Sequence, residues 1–126
     1  MSLDAIGIAA KNIEDSLKFY GFFGLDFKMI GEGHHESVLP SGMRIMIDSF
    51  ELLSKIDPNW TPATISNITL CFKQSDVKRV DKLYSDIISA GYKGHKEPWD
   101  AFWGQRYASV KDPSGNQIDI FADVAN

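Results

Sequence analysis

Few side chains in this sequence have an evident capacity for chemistry. Asp119 stands in the alternating run Gln117 to Ala122 and could act as a general base if burial raised its pKa. Arg44 could clamp a carboxylate or phosphate through its planar fork, or pair with Asp48 or Asp119. Asn67 and Thr69 could hydrogen-bond a ligand or each other. His34-His35-Glu36 is the one cluster of metal-ligand types, but adjacent residues on an extended segment point to opposite sides. Two neighbouring histidines then rarely share an ion, and the segment reads as a solvent-facing turn between two strands. His95 reads as a surface strand residue. Cys71 has no histidine placed to make its thiolate, so it reads as a packed, inert thiol.

The aromatic residues are a further clue. Pro98-Trp99-Asp-Ala-Phe102-Trp103 sets three rings in a loop just before a strand, and Trp60 lies between Pro58 and Pro62. Loop tryptophans usually cover something. Trp99 and Phe102 could form a lid over a flat or aromatic ligand, or seal a junction or a dimer interface. Trp103 reads as structural. So does Arg106, paired with an acidic neighbour. Gly31-Glu-Gly33 follows a strand but opens no helix, which excludes a phosphate loop. Asp112-Pro-Ser-Gly115 is a turn in which glycine supplies a positive φ.

The elements that must position these residues occur twice. Ala5 to Ala10 reads as a strand, and Asn12 caps a helix with apolar positions Ile13, Leu17 and Tyr20 that stops at Gly24. Strands follow at Asp26 to Ile30, Glu36 to Leu39 and Met43 to Asp48. The second half repeats the order. Ile65 to Phe72 is a strand, Ser75 caps a helix that Gly91 ends, and a short strand lies near Tyr92 to His95. Arg106 to Lys111 and Gln117 to Ala122 complete it. In both halves a Ser-Gly turn (Ser41-Gly42, Ser114-Gly115) leads into alternating isoleucines, Ile45 and Ile47 or Ile118 and Ile120. The expected fold class is α+β: two βαβββ modules forming a cleft. Module 1 covers about 3–48, a linker 49–64, and module 2 about 65–122.

Period-2 alternation divides the strand residues between two faces. Ile6, Ile8, Ile45, Ile47, Ile68, Leu70, Ile118 and Ile120 are expected under the helices. Ala5, Gly7, Ala9, Arg44, Met46, Asp48, Asn67, Thr69, Cys71, Gln117, Asp119 and Phe121 then face the cleft.

Composition bounds the function. A chain of 126 residues that is 44% hydrophobic can bury a core without staples. A net charge of −4 with scattered basic residues lacks the footprint of a nucleic-acid binder. No stretch approaches the roughly 20 apolar residues of a membrane span. No basic segment precedes an apolar one, so no signal peptide is expected. A single cysteine suits a reducing, cytoplasmic setting.

Ile6-Gly-Ile-Ala-Ala10 followed by Asn12-Ile-Glu-Asp-Ser-Leu-Lys-Phe-Tyr20 resembles the opening of the vicinal oxygen chelate superfamily, the glyoxalase, bleomycin-resistance protein and extradiol dioxygenase group. Trp103-Gly-Gln-Arg106 with Asp112-Pro-Ser-Gly-Asn116 resembles its closing motif, and the likeness runs from about Leu3 to Phe121. The resemblance implies paired βαβββ modules around a cleft, often in homodimers. Metal-using members place His, Glu or Gln at four positions that match Ala5, Met46, Asn67 and Asp119. Only Asp119 is a plausible ligand there. This implies the metal-free, bleomycin-resistance-like branch, with no cofactor. Such a protein binds an amphipathic or aromatic small molecule with Arg44, Met46, Asn67, Thr69, Trp99, Phe102 and Asp119. The alternative is a lyase, isomerase or dioxygenase-like enzyme of the same family, with Asp119 as base or a metal recruited through His34 or His35.

Overall fold

The computed structural model describes residues 1–63 and 65–125. The chain forms two compact units, one ending at Ala63 and the other made of the residues that follow. In the first, β1 (Ala5–Ala10) leads into α1 (Ile13–Gly21), then β2 (Lys28–Gly31), β3 (His34–Val38), β4 (Arg44–Ser49) and α2 (Phe50–Ile56). In the second, β5 (Leu70–Lys73) leads into α3 (Val77–Ser89), then β6 (Lys93–Ala101), β7 (Gln105–Lys111) and β8 (Gln117–Asp123). The four-stranded sheets have equivalent orders, β1-β4-β3-β2 and β5-β8-β7-β6. The first and last strands of each are parallel and the other neighbours antiparallel. Each unit is thus a βαβββ repeat, and the fold is α+β as expected. No helix among the described residues is long and apolar enough to cross a membrane.

Local chemistry explains the elements. The Asn12 side chain accepts a hydrogen bond from the Asp15 backbone N–H at 3.0 Å and starts α1. Phe19 and Tyr20 of α1 are fully buried, as are Ile45 and Ile47 of β4. α3 starts one residue later than expected. Asp76, not Ser75, is the cap, accepting from the Arg79 N–H at 2.9 Å. A carboxylate at that end also suits the helix dipole. Val80 and Ile87 of α3 are fully buried, with Ala108, Val110, Ile118, Ile120 and Ala122 of β7 and β8. α3 lies against β6, β7 and β8.

Three expected segments differ. The stretch 49–64 is not plain linker: Ser49 ends β4 and caps α2, accepting from the Leu52 N–H at 3.1 Å. Trp60 then packs on Phe50 of that helix, with ring centroids 5.1 Å apart. The last position of the stretch, Thr64, lies outside the described residues. The strand expected over Ile65 to Phe72 begins only at Leu70, which pairs with Ile118 of β8. The Ser66 hydroxyl instead bonds the carbonyl and N–H of Ile68 and turns the chain. Ile68 is consequently 74% exposed rather than under a helix. The expected aromatic loop is largely strand, because β6 runs through Pro98 and Trp99 to Ala101. β6 lies at the sheet edge and its register shifts twice, which accommodates a proline that donates no ladder bond.

The β2–β3 turn is pinned where the site residues begin. Gly33 has φ +75°, and a Cβ there would fall 2.6 Å from Ser49 Oγ, the cap of α2. The Gly33 carbonyl also accepts from the Ser49 N–H at 2.8 Å. Gly33→Ala is therefore expected to destabilise the protein by at least about 1 kcal/mol, through the strained φ and the displaced cap. A denaturation midpoint equal to that of the wild type would contradict this.

Candidate functional site

Each sheet has one face under its helix and one without it. Register assigns the side chains. On the uncovered face of the first sheet, Arg44, Met46 and Asp48 of β4 stand across from Ala5, Gly7 and Ala9 on one side and from Val38, Glu36 and His34 on the other. A Cβ on Gly7 would touch Met46 and Asp48, so the glycine keeps that surface low. Arg44 does not pair with Asp48. Its Nη1 donates to Glu36 at 2.8 Å and its Nη2 to Asp4 at 2.7 Å, because the β3–β4 register brings Glu36 within reach. These bonds hold the guanidinium protonated more firmly than usual.

His34 is not in a solvent-facing turn. It opens β3, with Nδ1 2.5 Å from Asp48 Oδ1 and Nε2 2.6 Å from Glu36 Oε2. The result is one charged row, Asp48–His34–Glu36–Arg44–Asp4. Asp48 raises the pKa of His34 most, followed by Glu36. Arg44, then His34, holds the Glu36 carboxyl below its ordinary range. His35 takes the opposite parity, as two adjacent strand residues must.

The uncovered face of the second sheet is aromatic. Trp99 of β6, Tyr107 of β7 and Phe121 of β8 stand side by side in register. Tyr107 stacks on Phe121 with ring centroids 5.8 Å apart, and Trp103 meets both Trp99 and Tyr107 edge-on at 5.5 Å. Such geometries are favourable beyond the area they bury. Lys96 Nζ lies 4.9 Å from the Trp99 ring centroid. Phe102 sits 91% exposed at the β6–β7 turn, touching Trp103.

Asp119 lies beside these rings and is 7% exposed. Its Oδ2 accepts from the Tyr107 hydroxyl at 2.6 Å. Its Oδ1 accepts from Ser109 Oγ at 2.7 Å and from Gln117 Nε2 at 3.0 Å. A carboxylate has about four acceptor sites, and three are taken. Burial, and then the bond to Asp119, pushes the Tyr107 phenol upward, so it remains a proton donor. Cys71 is exposed rather than packed, with Sγ 3.9 Å from the Tyr107 oxygen, because the edge strand β5 leaves it uncovered.

The remaining expectations divide. Asn67 and Thr69 precede β5 and are exposed, so the structure does not bring them onto the strand. The ladders equate Ile6↔Ile45 with Leu70↔Ile118, which makes Thr69, not Asn67, the counterpart of Ala5. Arg106 is structural as expected, donating to Asp81 at 3.0 Å and Asp100 at 3.1 Å. His95 is an exposed residue of β6, also as expected. From sequence alone, Tyr107 and Ser109 have no role, and Glu36 only a place in the turn. The tight turn after Lys111 could have found the first two, since pairing Lys111 with Gln117 puts Ser109 opposite Asp119 and Tyr107 opposite Phe121. Tyr107→Phe removes one donor from a buried carboxylate and is expected to cost roughly 1–3 kcal/mol. Urea denaturation would measure it, and a cost below a few tenths of a kcal/mol would contradict the bond's role.

The comparisons with known proteins agree with this architecture. Among solved structures, a glyoxalase-related enzyme from Fulvimarina pelagi superposes with a TM-score of 0.83 at 18% identity, over 97% of this chain and 88% of that one. A glyoxalase/bleomycin resistance protein/dioxygenase family enzyme from Burkholderia phytofirmans PsJN gives 0.81 at 22% identity, over 98% and 100%. A lactoylglutathione lyase from Agrobacterium tumefaciens gives 0.70 at 15% identity, over 96% and 92%. At these identities the likeness is one of fold. No match is found among the curated proteins. A family model for the Glyoxalase/Bleomycin resistance protein/Dioxygenase superfamily matches residues 2–120. The doubled βαβββ fold and that match together assign the chain to a family: it belongs to the glyoxalase/bleomycin resistance protein/dioxygenase superfamily.

Proposed function

We propose that this protein binds a small, flat, amphipathic molecule without a metal ion, on the aromatic face of its second sheet. The observation that carries the reading is the continuous run of ring contacts Trp99–Trp103–Tyr107–Phe121 beside the buried Asp119. Large, rigid rings offer contact area at little entropic cost, and polar groups at their edge fix orientation. In this reading Asp119 is a positioning group. It holds Tyr107 in place, and its own oxygens are occupied by Tyr107, Ser109 and Gln117.

The donor set supports the metal-independent part. Ala5 supplies no donor atom. Met46 supplies a soft thioether, suited to copper(I) rather than to hard divalent ions. Thr69 and Asn67 supply only neutral oxygens and lie outside β5. No group of three or more His, Cys, Asp or Glu side chains among the described residues is arranged to hold an ion. The four family positions therefore do not fit a divalent cation.

As its assembly we propose a homodimer. The superfamily to which the chain belongs, with its frequent homodimers, supports this. Light scattering should give twice the chain mass, and a monomer at micromolar concentration would overturn it.

The binding test is a screen of flat aromatic compounds in EDTA, read by thermal shift and tryptophan fluorescence. A hit should bind the wild type and lose about tenfold or more affinity in Trp99→Ala or Phe121→Ala, in line with the loss of one aromatic contact. Binding that vanishes in EDTA and returns with a divalent ion would overturn the reading. So would hits indifferent to both substitutions.

A further inference from the structure

The charged row on the first sheet carries an inference independent of the aromatic face. Both ring nitrogens of His34 meet carboxylate oxygens, Asp48 Oδ1 at 2.5 Å and Glu36 Oε2 at 2.6 Å. Carboxylates only accept, and a neutral imidazole has one N–H. Its other nitrogen would face an oxygen lone pair against lone pair. Only the imidazolium makes both contacts.

The two carboxylates are not equivalent. Glu36 has a second partner, since its Oε1 accepts from Arg44 at 2.8 Å, and Arg44 is itself tied to Asp4. Asp48 has His34 as its sole bonded partner among the described residues. A neutral His34 therefore keeps its single proton on Nδ1, for Asp48. Nε2 then becomes a bare acceptor pointed at a carboxylate already held elsewhere.

We propose that His34 is a proton-operated latch on the uncovered face of the first sheet. Charged, it ties Asp48 and Glu36 into one row. Neutral, it keeps Asp48, repels Glu36 toward Arg44, and leaves Nε2 open to a hydrogen-bond donor of a ligand. An imidazole oriented by an aspartate with its far nitrogen free is also the arrangement of a general base.

The surroundings define the charge balance. β4 presents Asp48 and Arg44, β3 presents Glu36, and Lys28 of β2 stands across from Glu36. Asp4 precedes β1, whose own residues on this face, Ala5, Gly7 and Ala9, carry no charge. α2 carries Glu51 and Lys55, both exposed and neither bonded to the row.

The folded pKa of His34 is raised. The stabilisation it gives is then complete below the unfolded value of about 6.5 and is lost as pH rises through the folded pKa. The test is a pH titration of the imidazole nitrogens by NMR on the full ¹⁵N-labelled chain. Below its midpoint both His34 nitrogens should carry protons, each facing a carboxylate. The midpoint should lie above the ordinary histidine value of about 6.5, and the neutral form beyond it should keep its proton on Nδ1. Glu36→Gln should lower the midpoint, and the thermal-stability difference between wild type and variant should shrink as pH climbs through it. A midpoint at or below the ordinary histidine value of about 6.5 would overturn the latch. The wild-type titration decides the matter even if the variant folds poorly. A midpoint unchanged in folded Glu36→Gln would equally overturn it.

Discussion

Parallel pairing of the first and last strands is the constraint on which both units rest. A parallel neighbour cannot be reached by a tight turn, so the chain must cross over, and a helix is the usual way. The crossover covers one face of the sheet and leaves the other without a helix. Every later choice follows from that asymmetry. Isoleucines of β4 and β8 go under the helix, and the residues between them are freed from packing. One ladder thereby creates both the core and the surface available for recognition.

The two units use that surface in opposite ways. In the first, opposite charges alternate along a row that starts at Asp48 and ends at Asp4. In the second, rings take the places of His34 and Asp48, and the Asp119 carboxylate is buried beside them. The difference is one of side chains alone, because strand order and pairing direction are the same. A doubled fold can thus divide labour between its halves without altering its backbone plan.

Much of this was legible in the residues. β1, the Asn12 cap and the alternation of β4 and β8 follow from local rules and appear as expected. What was not legible depends on distant partners. β5 is short and pairs only with Ile118 to Phe121 of β8, a partner that no local rule reveals. β6 was hidden by Pro98, which reads as a breaker unless the strand is known to lie at an edge. His34 read as a turn residue because Gly31 and Gly33 flank a single glutamate, and nothing local reveals that Asp48 lies opposite. For Arg44, charge chemistry was correct and the partner was not. Asp4 and Glu36 reach Arg44 from the neighbouring strands of its own sheet.

The turn between β7 and β8 has a kinetic consequence. Asp112 is 4% exposed, and its carboxylate accepts from the Ser114 and Asn116 N–H groups and from Asn116 Nδ2, at 2.9, 2.8 and 2.9 Å. These bonds need only residues within four positions of one another, so they close with little loop entropy. The hairpin can form within microseconds, as hairpins generally do. The β5–β8 ladder spans nearly the whole unit and must await α3. Folding of this half is therefore expected to start at the hairpin that aligns Ser109 and Tyr107 with Asp119 and Phe121. Its rate is then set by the late arrival of β5, the strand that carries Cys71.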